Sequence, residues 1–351
     1  MDPRIFFKEA RSLKARGYDV CVIAQGDEPF VQDGVRIVTL PRARGRFERM
    51  TRTMAAMLRA AIKENADVYH LHDPELIPLG LFLRLRGKKV VYDAHEDLPY
   101  DIEVKDWIPS RIRPFVSGAA KWGLRAAGRR FTGVVAAVDT IAERFPQANV
   151  VVVRNLVDLS LQTPGEASLR VSHAAVYCGS ITVVRGIVEM VQAFAPANIS
   201  SGRRLALIGN FHDEAVESMV RNLSGWPNVD FYGRLRNDQI APILQSARAG
   251  LCMLHATRGH LDSLPTKIFE YFAAGIPVIA SDFPGWRALV EGCGISIDPN
   301  DPVALAQAIA YLDNHPEEAR EMGERGRDRV MRELNWSSES SRLYWFYESL
   351  R

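Results

Sequence analysis

Short runs of β-branched and apolar residues alternate along the whole chain with segments whose apolar positions recur at helical spacing. That alternation predicts strands and helices in βα succession, and so doubly wound α/β sheets. In the first half, PRIFFKEARSLKAR predicts a helix over 3–16, with Asp2 as its N-cap and Gly17 as its stop. Strands follow at 19–24 and 35–40, a long amphipathic helix at 45–64, a strand at 67–71, a helix at 74–85 and a strand at 89–93. An irregular basic stretch then leads to strands at 133–137 and 149–153. A second series has strands at 174–178, 204–208, 228–232, 249–254, 277–280 and 294–297, and helices from Pro302 to the C-terminus. No short repeat is present, so one α/β architecture is used twice.

The polar stretch 158–172, with Pro164 and Gly165, reads as a linker between a first domain, 1–157, and a second, 173–335. A chain of 351 residues has room for two such cores. The pattern also lacks something. A doubly wound unit opens on a strand in the middle of its sheet, whereas this chain opens on a helix. The expectation is that the first strand of the N-terminal domain, with its loop, lies upstream of Met1.

Composition changes this picture little, and charge changes it more. Hydrophobic residues at 47% and charged residues at 25% are ordinary for globular domains. The net charge of +2 excludes a strongly nucleic-acid-like balance overall, but residues 1–155 carry 26 Lys/Arg against 19 Asp/Glu, and 156–351 carry 18 against 23. Cys21, Cys178, Cys252 and Cys293 lack metal-ligand spacing and read as reduced core residues of a cytoplasmic protein. The apolar runs are too short for a membrane span, and no signal peptide opens the chain.

The densest chemistry lies in TRGHLDSLPTKIFEYFAAGIPVIAS. Leu264-Pro265 marks a helix start and Gly275 its end, so a short helix points its N-terminus beyond the strand 249–254. Free N–H groups at the carboxyl edge of a parallel sheet favour a phosphate, which would also relieve Lys267 of its conflict with the helix dipole. Glu270 sits on the face of Lys267, and Asp262 precedes both in the loop; two carboxylates beside a phosphate suit hydroxyl recognition. The alternative is a surface Lys267–Glu270 ion pair with Asp262 as a solubilising loop residue.

DSLPTKIFEYFAAGIPVIASDFPGWRALV resembles the nucleotide-sugar site of retaining glycosyltransferases of the GT-B fold, family 4. The resemblance extends over DPRIFFKEARSLKARGYDV, VYHLHDPELIPLGL, VVYDAHEDLP, YCGSITVVRGIVEMVQAF, NVDFYGRLRNDQIAPILQSA and IDPNDPVALAQAI. It implies two facing Rossmann-like domains with parallel sheets, the last helix, about 336–351, returning to the first domain. Glu270 takes the position that holds the donor ribose. Asp262 takes that of a first acidic residue, usually the longer Glu, while the amides of Ser263, Leu264, Pro265 and Thr266 face the diphosphate with Lys267 nearby. Of the family's basic pair only Arg185 is matched; Ser180 or a neighbour stands at the other position. His95 would face the donor sugar, and His72, Asp73 and Glu75 form a loop toward the acceptor. Asp73 before Pro74 is equally an N-cap. Gly179, Gly209 and Gly233 end strands where a donor could approach the backbone.

The implied activity is transfer of a sugar from a UDP- or GDP-linked donor to an acceptor hydroxyl, with retention and without metal or other cofactor, in cell-surface polysaccharide or glycolipid synthesis. Two basic stretches, 42–63 and 105–130, interleave apolar residues including Phe47, Trp107, Phe115 and Trp122. They read as a patch for anionic lipid on the inner face of the plasma membrane, near a lipid-linked or glycan acceptor, or as packed helices with a solvated basic face. No nucleic-acid motif is present. A nucleotide-sugar epimerase of similar fold and a non-catalytic nucleotide-sugar-binding homologue remain as alternatives.

Overall fold

A computed structural model describes residues 2–104, 108–161, 173–261 and 263–350. The chain divides into two units, Met1–Asn155 with Trp336–Arg351, and Leu156–Asn335. Residues 162–172 of the expected linker lie outside the described residues.

In the first unit the strands are β1 (Cys21–Gln25), β2 (Phe30–Gln32), β3 (Val35–Leu40), β4 (Val68–Leu71), β5 (Lys89–Ala94), β6 (Gly133–Ala136) and β7 (Val150–Val152). They form two sheets, β1-β3-β2 and the parallel β4-β5-β6-β7. β1 and β4 each lie at a sheet edge. No described strand precedes the first helix, which runs through a π-helical segment, Pro3–Ala10, and an α-helical one, Arg11–Ala15. Asp2 caps it, accepting hydrogen bonds from the Arg4 and Ile5 amides at 2.8 and 3.0 Å.

Two features of this unit depart from the sequence pattern. The antiparallel β2 pairs with β3 where only a loop is expected. The basic stretch after β5 is not irregular, because it holds the helices Leu98–Val104 and Arg113–Arg130.

Strand alternation sorts the core and also aims the polar residues. On one face of the β4–β7 sheet Tyr69, Leu71, Val90, Tyr92, Val134 and Ala136 join one apolar cluster. On the other, Val91 and Val135 pack with Leu13 of the first helix and with Trp336, Leu343 and Phe346 of the last helix, Trp336–Ser349. With a side-chain period of two, His70 and Asp93 fall on this second face, and His72 and His95 continue the same parity past the strand ends. The aromatic stripe of the last helix therefore packs within the first unit.

The second unit has β8 (Ala175–Cys178), β9 (Leu205–Ile208), β10 (Val229–Gly233), β11 (Gly250–Cys252), β12 (Val278–Ser281) and β13 (Gly294–Ile297). All pair in parallel in the order β10-β9-β8-β11-β12-β13, the Rossmann order. Alternate residues feed two buried clusters, Tyr177, Leu207 and Leu251 on one side and Val176, Ile208 and Cys252 on the other. Burial on both faces explains the near-continuous apolar runs of these strands. The order reverses between β8 and β11, so the crevice beyond their carboxyl ends is where this topology places a ligand.

Candidate functional site

At that switch point the residues after β8 and the helix Thr266–Ala274 come together. Pro265 takes the N-cap position of this helix and not its first turn, and Gly275 ends it at φ 75°. Lys267 is half-buried with its Nζ 5.4 Å from the centre of the Tyr177 ring. The Tyr177 hydroxyl donates to the Ser180 carbonyl at 2.7 Å. Burial holds the Lys267 ammonium below its usual range, and Arg185 lowers it further. Arg185 also acts on the Tyr177 hydroxyl, which burial nevertheless pushes up to about 12. Lys267 and Arg185 thus share a small region around Tyr177, where the carboxylate of Glu270 favours the Lys267 ammonium.

The backbone at this point is made close by two glycines. Gly179 has φ 146°, and a Cβ there would meet Lys267 Nζ at 2.6 Å. Gly209 has φ 141°, and a Cβ there would collide with the Gly179 carbonyl oxygen. The Gly179 amide donates to Ile208 O and the Gly209 amide to Gly233 O, both at 2.8 Å, which ties the ends of β8, β9 and β10 together. Gly233, at φ 64°, closes β10 with open space where its side chain would be.

Several expected groups take other places. The Ser263 amide and hydroxyl both donate to His260 O, at 3.2 and 2.9 Å, so neither points to a diphosphate, and Pro265 has no amide hydrogen to offer. Thr266 is the first residue of the helix, where first-turn amides have no acceptor within the helix, and Leu264 precedes the N-cap Pro265. Glu270 is half-buried one turn into the helix, and Asp262 lies outside the described residues.

In the first unit the parity of β4 and β5 brings His72 and His95 to one buried carboxylate. Asp93 is fully buried; its Oδ2 lies 3.1 Å from His72 Nδ1 and 3.3 Å from His95 Nδ1. Arg4 donates to the same carboxylate from Nε and Nη2 at 2.9 and 2.8 Å, and to Val153 O at 3.0 Å. Burial alone would raise Asp93, but Arg4, His72 and His95 hold it well below the usual carboxylate range. The Asp93 carboxylate at 3.3 Å lifts His95 to about 9 against desolvation. Desolvation also opposes the charge on His72, yet Asp93 and Glu9 raise it.

Asp73 and Glu75 stand apart from this cluster. Asp73 precedes Pro74 but makes no side-chain capping bond; its carboxylate lies 3.7 Å from Arg49, which also approaches Glu75 at 2.7 Å. The helix Arg113–Arg130 leaves Phe115 and Trp122 exposed at 79% and 75%, with Ile112 on the same stripe. Trp107 of the same basic stretch lies outside the described residues.

Residues 6–156 match the family described as "Glycosyl transferase 4-like domain", and residues 185–343 match "Glycosyl transferase-like". Each match spans one of the two Rossmann-like halves. The chain belongs to the GT-B glycosyltransferases. This glycosyltransferase is 24% identical over 319 residues to the MMP alpha-(1->4)-mannosyltransferase of Mycolicibacterium hassiacum, covering 84% of the chain and 73% of that protein. Its fold is similar to sucrose-phosphate synthase from Thermosynechococcus elongatus, with TM-score 0.78, 19% identity and coverage of 97% and 91%. It is also similar to Anabaena HepE in complex with UDP-glucose, with TM-score 0.70, 16% identity and coverage of 90% and 87%.

Sequence reasoning about this glycosyltransferase passed over Arg4, Glu9, His70 and Asp93. Their signal was present as charged residues on the apolar face of the first helix and as an alternation, His70-x-His72 and Asp93-x-His95, in two buried strands. His255 was also passed over; its Nε2 lies 3.2 Å from Glu189, and its amide donates to Val184 O beside Arg185. Glu9, His70 and His72 are metal-type donors with ligand atoms within 4.8 Å of one another. Arg4 Nε, 3.0 Å from Glu9 Oε1, already brings the positive charge an ion would bring, and the Tyr347 hydroxyl meets His70 Nδ1 at 2.9 Å.

Proposed function

We propose that this glycosyltransferase moves a sugar from a UDP- or GDP-linked donor to an acceptor hydroxyl, with retention at the anomeric carbon. The observation that carries the reading is the pairing of Lys267 and Arg185 around Tyr177 and Gly179 at the Rossmann switch point. Two cations and the first-turn amides supply the counter-charge of a departing nucleoside diphosphate, so the reaction needs no metal there. The complex of HepE with UDP-glucose supports a nucleotide-sugar as the donor class. Glu270, on the same helix, holds the ribose, and His95 serves the sugar.

The acceptor is a glycan or a lipid-linked sugar bound by the first unit, in cell-surface polysaccharide or glycolipid synthesis. Its exposed Ile112, Phe115 and Trp122, flanked by the exposed Arg111, Arg125 and Arg129, suit an anionic lipid surface. No helix among the described residues is long and apolar enough to cross a membrane. This reading places the protein in the cytoplasm, against the inner face of the plasma membrane.

Incubation with a panel of nucleotide-sugars, with and without membrane extract, tests the reading. Acceptor-dependent release of UDP or GDP, with an α-linked product from an α-linked donor, is the expected result. Sugar conversion without nucleotide release would make the protein an epimerase, and donor binding without either would make it a non-catalytic homologue.

A further inference from the structure

The two central strands of the second unit part early. β8 stays in register with β9 through four pairs, up to Cys178↔Ile208, and β11 with β12 through three, up to Cys252↔Ala280. Between β8 and β11 the register holds Val176↔Gly250 alone among the described residues. The rung there runs from the Val176 amide to Ala249 O at 2.9 Å. Evenly spaced parallel rungs would next join the Cys178 amide to Leu251 O. A side chain stands in that place instead. The Cys178 amide donates to the Tyr271 hydroxyl at 3.2 Å, and that hydroxyl donates to Leu251 O at 3.1 Å.

Both backbone groups are thereby satisfied where an unpaired donor or acceptor is costly. Tyr271 is wholly enclosed, and a Cβ on Gly250 would collide with its ring, so this glycine leaves the room the ring needs. Burial pushes the Tyr271 hydroxyl well above its usual range, so it keeps the proton it donates. The same side chain belongs to the helix Thr266–Ala274, one turn after Lys267. Residues four apart share a helix face. Lys267 lies against Tyr177 and Gly179, the residues on either side of Cys178. One hydroxyl therefore ties the Lys267 helix to the ends of both strands.

We propose that Tyr271 is a positioning residue for the diphosphate site: its hydroxyl replaces the rung that β8 and β11 omit, and so fixes where Lys267 stands at the mouth of the crevice. Tyr271 touches neither donor nor acceptor and acts through Lys267. Without the hydroxyl, Cys178 N–H and Leu251 O are left to each other or to nothing, and in both cases the helix loses its tie to the strand ends. The consequence for donor binding rests on the function proposed above; the inserted hydroxyl does not.

The test is calorimetric titration of UDP and GDP into the wild type, Tyr271→Phe, Lys267→Met and the double variant, with circular dichroism as the folding control. Tyr69→Phe is the comparison, because the Tyr69 hydroxyl likewise accepts from one amide, Ala66, at 3.0 Å and donates to one carbonyl, Ala61, at 2.8 Å, in the first unit. Tyr271→Phe should weaken nucleotide binding about tenfold alone and less than about twofold in the Lys267→Met background, while Tyr69→Phe leaves it unchanged. Wild-type affinity in Tyr271→Phe, additive losses in the double variant, or an equal loss in Tyr69→Phe each overturn the proposal. Unchanged affinity in Lys267→Met would instead overturn the donor site, and with it this role. Should Tyr271→Phe not fold, NMR of the wild type decides. A slowly exchanging Tyr271 hydroxyl proton with a nuclear Overhauser contact to the Cys178 amide supports the insertion, and a Cys178 amide that exchanges as fast as a solvent-facing one overturns it.

Discussion

Arg4 holds Asp93 through two parallel hydrogen bonds, Nε to Oδ2 at 2.9 Å and Nη2 to Oδ1 at 2.8 Å, with both side chains almost wholly buried. The pair joins the first helix to β5, 89 residues apart in sequence. Fork geometry of this kind adds direction to charge. Removing one member leaves the other buried and uncompensated, which costs far more than the pair contributes.

Arg4→Met should therefore destabilise the first unit by about 3–5 kcal/mol, and Arg4→Met with Asp93→Asn should be markedly less damaging than their sum. Urea unfolding of the two single variants and the double variant measures the coupling; additive losses would contradict the pairing.

Glu9 should show itself in the pH dependence of stability. Its carboxyl titrates higher in the folded chain, near about 7, than in the unfolded chain, so the unfolded state loses its proton first as pH rises. Stability is then lost from about pH 4.5 upward until the folded carboxyl has ionised near 7. Relative to wild type, Glu9→Gln should gain on the order of 2–3 kcal/mol between those limits. Unfolding curves of both proteins at about pH 5 and about pH 8 give the difference directly.

At the switch point of the second unit, Lys267→Met and Arg185→Met should each weaken nucleotide diphosphate binding by about 10–100-fold, the range of one lost charge-assisted hydrogen bond. Glu270→Ala should abolish binding or turnover. Calorimetric titration with UDP and GDP reads all three, and near-normal affinity in Glu270→Ala would remove that residue from the site.

Gly209→Ala places a methyl group against the Gly179 carbonyl at a φ that side chains rarely adopt. A loss of more than about 1 kcal/mol is expected, together with weaker nucleotide binding, because Gly179 lies against Lys267. Gly45→Ala, where a Cβ meets nothing within 4 Å, is the control.

On the surface, Phe115→Ser with Trp122→Ser should reduce flotation with anionic vesicles while leaving neutral vesicles unaffected. Equal binding of the wild type to both vesicle types would remove the membrane as a partner of this face.

The pattern of apolar runs made the strands legible, because parallel strands buried on both faces write continuous Val/Ile/Leu segments into the sequence. The Lys267 helix was legible for the same local reason, as Pro265 and Gly275 bracket it and leave Lys267 and Glu270 on one turn. Less legible was the helix Arg113–Arg130, whose glycines and exposed aromatics obscure its periodicity. The antiparallel β2 depends on pairing with β3, a contact that local pattern does not encode.

The sequence by itself determined the α/β class, the switch-point helix and the candidate residues Lys267, Glu270, Arg185 and His95, because these depend on local periodicity, on helix-end chemistry and on motif resemblance. Only the tertiary structure decided that Ser263 turns its donors to His260, that Lys267 settles over Tyr177, and that Arg4, Glu9, His72 and His95 converge on Asp93. Those groups come from three elements far apart in the chain. Their shared charge exists only once sheet parity and burial have brought them into one small, water-poor volume.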